Sequence, residues 1–232
     1  MADAAKVVSR EVEAAAQAAV SDAAVLRALL DGVGPATQRS TVRETSSQAL
    51  MLLASRSPEV LLPHWDYLAG LLNCGNGFSQ YVAIYVLTDL CRVDREGRFA
   101  RVFDAYFQQL DDRSLMVASH TALRAGLVAA ALPELQHRII ERLEAIDRTH
   151  FDQDRKEIIK GYAIAAFDQF VEHSPERERI VAWVARQSAS TCGKTRKDAI
   201  AFGKKWGRGS SGSPAAASGR AAGRGKAKEK AQ

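Results

Sequence analysis

Four segments of this chain close on a large aliphatic residue followed by Asp or Asn: Leu30-Asp31, Leu72-Asn73, Leu110-Asp111 and Ile146-Asp147. Their spacings are 42, 38 and 36 residues. Seven residues before the last three stands another large apolar side chain, Trp65, Phe103 or Ile139. Seven residues is about two helical turns, so both members of each pair lie on one face. A short break and a second, longer helical pattern follow each closing residue. The repeating unit is a helical hairpin of about forty residues, used about five times. Such a hairpin cannot cover its own apolar faces, whereas stacked hairpins bury them in one continuous layer. The spacing therefore predicts an all-α quasi-linear solenoid rather than a closed bundle, which needs no constant period.

Composition agrees. Hydrophobic residues make up 47% and charged residues 25% of the 232, but aromatics only 7%, and alanine-rich, β-branch-poor segments favour helix over strand. The periodicity places helices at about 4–20, 22–31, 37–55, 59–73, 78–93, 96–110, 114–130, 133–147, 154–172, 176–189 and 194–206. Ser57-Pro58-Glu59 and Ser174-Pro175-Glu176 read as N-cap, first-turn Pro and first-turn acid. Asp31-Gly32 and Gly75-Asn76-Gly77 read as turns, and Asp111, Asp112, Asp152 and Asp154 as caps.

These units resemble those of the HEAT/armadillo superfamily. Leu61-Leu62-Pro63-His64-Trp65, with Leu68, Leu71 and Leu72, is similar to a Pro-containing first helix of a HEAT unit. Val42-Arg43 with Ala49-Leu50, and Asp112, Val117 and Ala122-Leu123, resemble second-helix positions; Thr195 to Ile200 matches loosely. The resemblance covers about residues 22–206. It implies a right-handed α-α superhelix (a HEAT/ARM-like solenoid of about five hairpins) with the second helices lining a concave face. In one departure, most units lack the Asp and Arg/Lys pairing that ladders along a typical array.

The net charge of +5 equals the surplus of residues 207–232, where Arg208, Arg220, Arg224, Lys226, Lys228 and Lys230 face Glu229 alone. The tail holds no apolar residue larger than Ala and is expected to be disordered. The expected organisation is a solenoid over 1–206, with helix 4–20 as its cap, followed by this basic tail. Cys74, Cys91 and Cys192 form no disulfide framework or metal knuckle and fit a reducing compartment. The acid-bearing N-terminus is unlike a signal peptide, and the longest uncharged stretch is broken by Asn and Gly. A cytoplasmic protein without membrane contact is the expectation.

Catalytic chemistry is not legible. Gly193-Lys194-Thr195 lacks the upstream glycine of a phosphate loop, because that position is Ser188. The five histidines never fall three or four residues apart, so no two share a helical face as metal ligands. Cys192, near a helix start and Lys194, is the one thiol in an activating setting. Trp65 and Trp183 sit in apolar periods and read as core; Trp206 ends the last helix beside Lys204-Lys205. No catalytic residue, cofactor, metal or small-molecule substrate is inferred.

Outward positions of the second helices form i, i+4 pairs: Arg39 and Arg43, Tyr81 and Tyr85, His120 and Arg124, Lys156 and Lys160. Side by side they predict a stripe of cations and aromatics, able to grip an acidic peptide or a phosphate backbone. The leading expectation is a non-enzymatic scaffold binding a protein or peptide partner on its concave face. A second is nucleic-acid binding through the basic tail. A third follows from the resemblance: one HEAT-like branch comprises DNA glycosylases for alkylated bases, and Trp65-Asp66 is the nearest approach to their Trp- and Asp-bearing cleft.

Overall fold

A computed structural model describes residues 9–207. The tail cations Arg208, Arg220, Arg224, Lys226, Lys228 and Lys230 lie outside the described residues, as do the first eight positions. Eleven α-helices follow in order, with no strand among the described residues: α1 (Arg10–Ala18), α2 (Ala23–Gly32), α3 (Ser40–Arg56), α4 (Trp65–Gly70), α5 (Gly77–Leu90), α6 (Arg98–Gln108), α7 (Leu115–Ala131), α8 (Gln136–Glu144), α9 (Gln153–Phe167), α10 (Arg177–Arg186) and α11 (Gly193–Trp206). Short 3-10 turns extend many of them. The first helix of the second hairpin begins with one, Pro58–His64, because Pro58 opens it and Pro63 interrupts the α-ladder.

The periodic residues mark the core as the spacing predicts. Leu30, Leu72, Leu110 and Ile146 are buried, and so are Trp65, Phe103 and Ile139 seven residues before the last three. Ser9, Asp22, Asn76 and Asp152 cap helices through their side chains. Asp112 accepts from the Ser114 N–H at 2.7 Å. Asp111 does something else: it accepts from the His150 N–H at 2.7 Å, joining two hairpins. Asp31-Gly32 is not a turn, since α2 runs through Gly32.

The hairpins stack so that α3, α5, α7, α9 and α11 pack on one another in succession, while α4, α6, α8 and α10 pack much less closely among themselves. The layer whose members approach more closely lies on the inside of the curve. Small residues make that approach possible. A Cβ on Gly126 of α7 would meet the Ala166 carbonyl oxygen of α9 at 2.5 Å, and one on Gly161 would meet Thr195 Oγ1 of α11 at 2.6 Å.

Although most units lack the family's Asp and Arg/Lys pattern, ion pairs at other positions link successive hairpins. Asp89 pairs with Arg124 at 2.7 Å, Asp104 with Arg142 at 2.6 Å, Glu144 with Arg179 at 2.7 Å and Asp168 with Lys205 at 2.9 Å. These partners stand 35 to 38 residues apart, one hairpin apart in the stack. The ladder runs through both layers but occupies different helical positions in each, so no single sequence pattern announces it.

Candidate functional site

Helices α5, α7 and α9 are enclosed by neighbours on both sides and by the outer layer behind, which leaves each one a single open row. On α5 that row is Phe78, Tyr81, Tyr85 and Asp89; on α7 it is Met116, His120, Leu123, Arg124, Leu127 and Ala130; on α9 it is Ile158, Tyr162 and Ala165. Apart from the adjacent Leu123 and Arg124, successive members are three or four residues apart, as one face of a helix requires.

The predicted pairs on α5 and α7 come together. The Tyr81 and Tyr85 rings lie 4.8 Å apart, and His120 stands edge-on to Tyr81 at 4.9 Å. Tyr85 Oη and His120 Nδ1 share a hydrogen bond of 2.8 Å. Tyr162 of α9 continues the aromatic strip, 5.8 Å from the His120 ring. Arg124 lies over the Tyr85 ring at 4.5 Å while its Nη2 donates to Asp89 Oδ1 at 2.7 Å. Both members of this ion pair are mostly buried, and their charges cancel.

The other predicted pairs do not join the strip. Arg39 is exposed at the N-cap position of α3. Arg43 turns sideways, 4.2 Å over the Phe78 ring and donating to Asn76 Oδ1. On α9 the predicted register is wrong. Lys160 is 5% exposed and pairs with Asp147 at 2.7 Å and with buried Glu157 at 2.9 Å; Lys156 is half-buried, off the open row. The open positions are Ile158 and Tyr162 instead. A charge neutralised inside the stack is indistinguishable, in sequence, from one that faces water.

Glu157 organises this buried junction. Its carboxylate accepts from Ser190 Oγ, Lys160 Nζ and Gln153 Nε2, and its carbonyl accepts from Thr195 Oγ1. Burial pushes its carboxyl up, but the hydrogen bonds from Ser190 and Lys160 outweigh that and hold it below the ordinary value.

The inner face is apolar as well as aromatic. Seven large hydrophobic residues among those described are exposed, and five of them lie on inner helices: Val42, Met116, Leu127, Ile158 and Ile200. Thr88, Asp89, Arg92, Leu127, Ala130 and Ala131 frame an open, mostly apolar cavity of about 320 Å³ between α5 and α7. A larger cleft of about 480 Å³ lies where α5 and α7 begin and is lined mostly by polar residues. Its buried Gln80 amide donates to the Leu72 carbonyl, Gln109 and Asp112, so these groups already serve to fasten hairpins together.

Trp65 is buried at 3% exposure and Asp66 projects from outer-layer α4, so the two form no cleft on the inner face. Gly193-Lys194-Thr195 opens α11, with Lys194 paired to Asp198. Cys192 precedes that helix, and hydrogen bonds from Thr195 hold its thiol below the ordinary value. No group of three His, Cys, Asp or Glu converges as metal ligands among the described residues. None of the helices described is long and apolar enough to cross a membrane.

A two-layered stack with one open inner face defines an α-solenoid of the HEAT/armadillo kind. A designed armadillo repeat protein in complex with peptide (KR)4 superposes with a TM-score of 0.52 at 12% identity, over 84% of this chain and 91% of that one. No protein-family model matches the chain. No curated protein matches it in sequence.

Proposed function

We propose that the chain is a non-enzymatic, cytoplasmic scaffold that binds a protein or peptide segment along the inner face of the solenoid. One observation carries this reading: the open rows of α5, α7 and α9 form a continuous aromatic and aliphatic strip whose central charges, Asp89 and Arg124, neutralise each other. Tyr side chains supply rigid, amphipathic contact area at low entropic cost. Leu127, beside its cavity, and Ile158 offer apolar anchoring points. The armadillo repeat neighbour holds a peptide of alternating Lys and Arg. The strip here has no excess of carboxylates to match such a ligand, so the segment it suits presents aromatic or aliphatic anchors with hydrogen-bonding groups between them.

Selection of displayed peptides against the full chain tests this. Leu127→Glu and Ile158→Glu alter exposed side chains, so folding is expected to survive, as circular dichroism would show. Each is expected to weaken selected peptides at least about tenfold, the cost of one charge in an apolar contact, while Arg142→Glu on the outer layer leaves affinity unchanged. Peptides that bind all three variants as tightly as the parent would refute the reading.

A further inference from the structure

The near neutrality of the folded part conceals a sharp asymmetry. Residues 1–192 carry twenty-one Lys and Arg against twenty-five Asp and Glu. Helix α11 alone carries Lys194, Arg196, Lys197, Lys204 and Lys205 against Asp198, and residues 207–232 add six cations against one carboxylate. The last forty residues also hold seven of the ten lysines. We propose that the open face of α11 is a docking surface for the phosphate backbone of duplex nucleic acid.

The geometry of α11 favours this. It packs into the stack through Thr195, Ala199 and Phe202, and no later helix among the described residues covers its far side. Lys197 and Lys204 are exposed, and neither has an ion-pair partner among the described residues. They stand seven residues apart, two turns or about 10 Å along one face. The side chains beside them are small except for Ile200, which is also exposed. Ala201 is exposed, and a Cβ on Gly203 would meet nothing within 4 Å. A phosphodiester chain can therefore approach the helix closely.

Lys194 and Lys205 flank this face. Their pairs with Asp198 and Asp168 are solvent-exposed, of a kind a phosphate competes with readily. Lysines act as point charges and bind phosphate without reading bases, so the surface suits any sequence.

Two simpler accounts fit less well. A terminal helix needs a polar outer face for solubility, but α1, which caps the other end, carries one Arg against two Glu. Capping therefore does not require a cationic surplus. A membrane-lying helix needs an apolar stripe to insert; α11 buries Ala199 and Phe202 in the stack, and Ile200 is the one large apolar residue it leaves exposed.

Fluorescence anisotropy of the full chain with labelled 20-bp duplexes, titrated between 50 and 200 mM NaCl, tests the assignment. The parent is expected to bind unrelated sequences alike, with affinity falling steeply with salt. Lys197→Ala/Lys204→Ala, whose folding is checked by circular dichroism, should flatten the log–log salt slope by about 2, roughly 0.9 for each phosphate left without its lysine. It should also weaken binding at 100 mM at least about tenfold. An unchanged slope and affinity in the double variant would overturn the role of α11 and leave any binding to residues 208–232. Binding to phosphatidylserine vesicles with none to duplex, or a strong preference for one sequence, would overturn the proposed ligand.

Discussion

Helices α7 and α8 belong to one hairpin and follow different rules. Helix α7 buries Val117, Ala118, Ser119, Thr121, Ala122, Ala125, Gly126, Val128 and Ala129, positions that span a little over half of its circumference. Helix α8 buries only Gln136, Ile139, Ile140 and Leu143, and turns His137, Arg138, Glu141 and Arg142 to solvent. The inner helix is held by shape, through small residues that let backbones meet. The outer helix is held by an apolar stripe and by ion pairs to its neighbours. The proposed binding face would thus stand on the more closely packed layer.

The largest expected effect that sharpens this contrast is Gly126→Ala. The added Cβ strikes the Ala166 backbone, which cannot turn aside as a side chain can. A loss of about 3 kcal/mol in urea unfolding is expected, at the upper end for overpacking. A loss under about 0.5 kcal/mol would show that the inner layer is not close-packed there.

Glu157→Gln comes next, at about 2 kcal/mol near neutral pH, because it removes a charge-assisted acceptor from Lys160 and Ser190. The pH dependence carries a sign. The folded-state carboxyl is held below its unfolded value of about 4.3, so its contribution is complete above that value and disappears as pH falls through the lower, folded one. The gap in stability between parent and variant should therefore close with acidification below about pH 4.3, as denaturation at stepped pH would show.

On the outer layer, Arg142→Ala removes a half-exposed partner of Asp104. A change within about 0.5 kcal/mol is expected, and one above about 1.5 kcal/mol would erase the distinction between layers.

The same contrast explains what the sequence discloses. Outer helices such as 96–110 and 133–147 are legible because one apolar stripe faces one neighbour. The closing residues Leu30, Leu72, Leu110 and Ile146 disclose the period for the same reason. The inner face is legible only in part. Tyr81, Tyr85, His120 and Arg124 are recognisable as a shared row, but the α9 row is displaced because Lys160 is polar and yet buried, its charge met by Asp147 and Glu157. Ile158, Tyr162 and Leu127 resemble core residues on paper; only the neighbours of their helices reveal which side stays open. The ion-pair ladder escapes detection because partners 35 to 38 residues apart share no local pattern.

Hydroxyl-radical footprinting, with and without a selected peptide, tests the binding face most directly. Tyr81, Tyr85, Leu127, Ile158 and Tyr162 should all be shielded when the peptide is bound, while Tyr67, exposed on outer-layer α4, reacts as before. Shielding of Tyr67 with the five inner residues unchanged would contradict the placement of the partner on the inner layer.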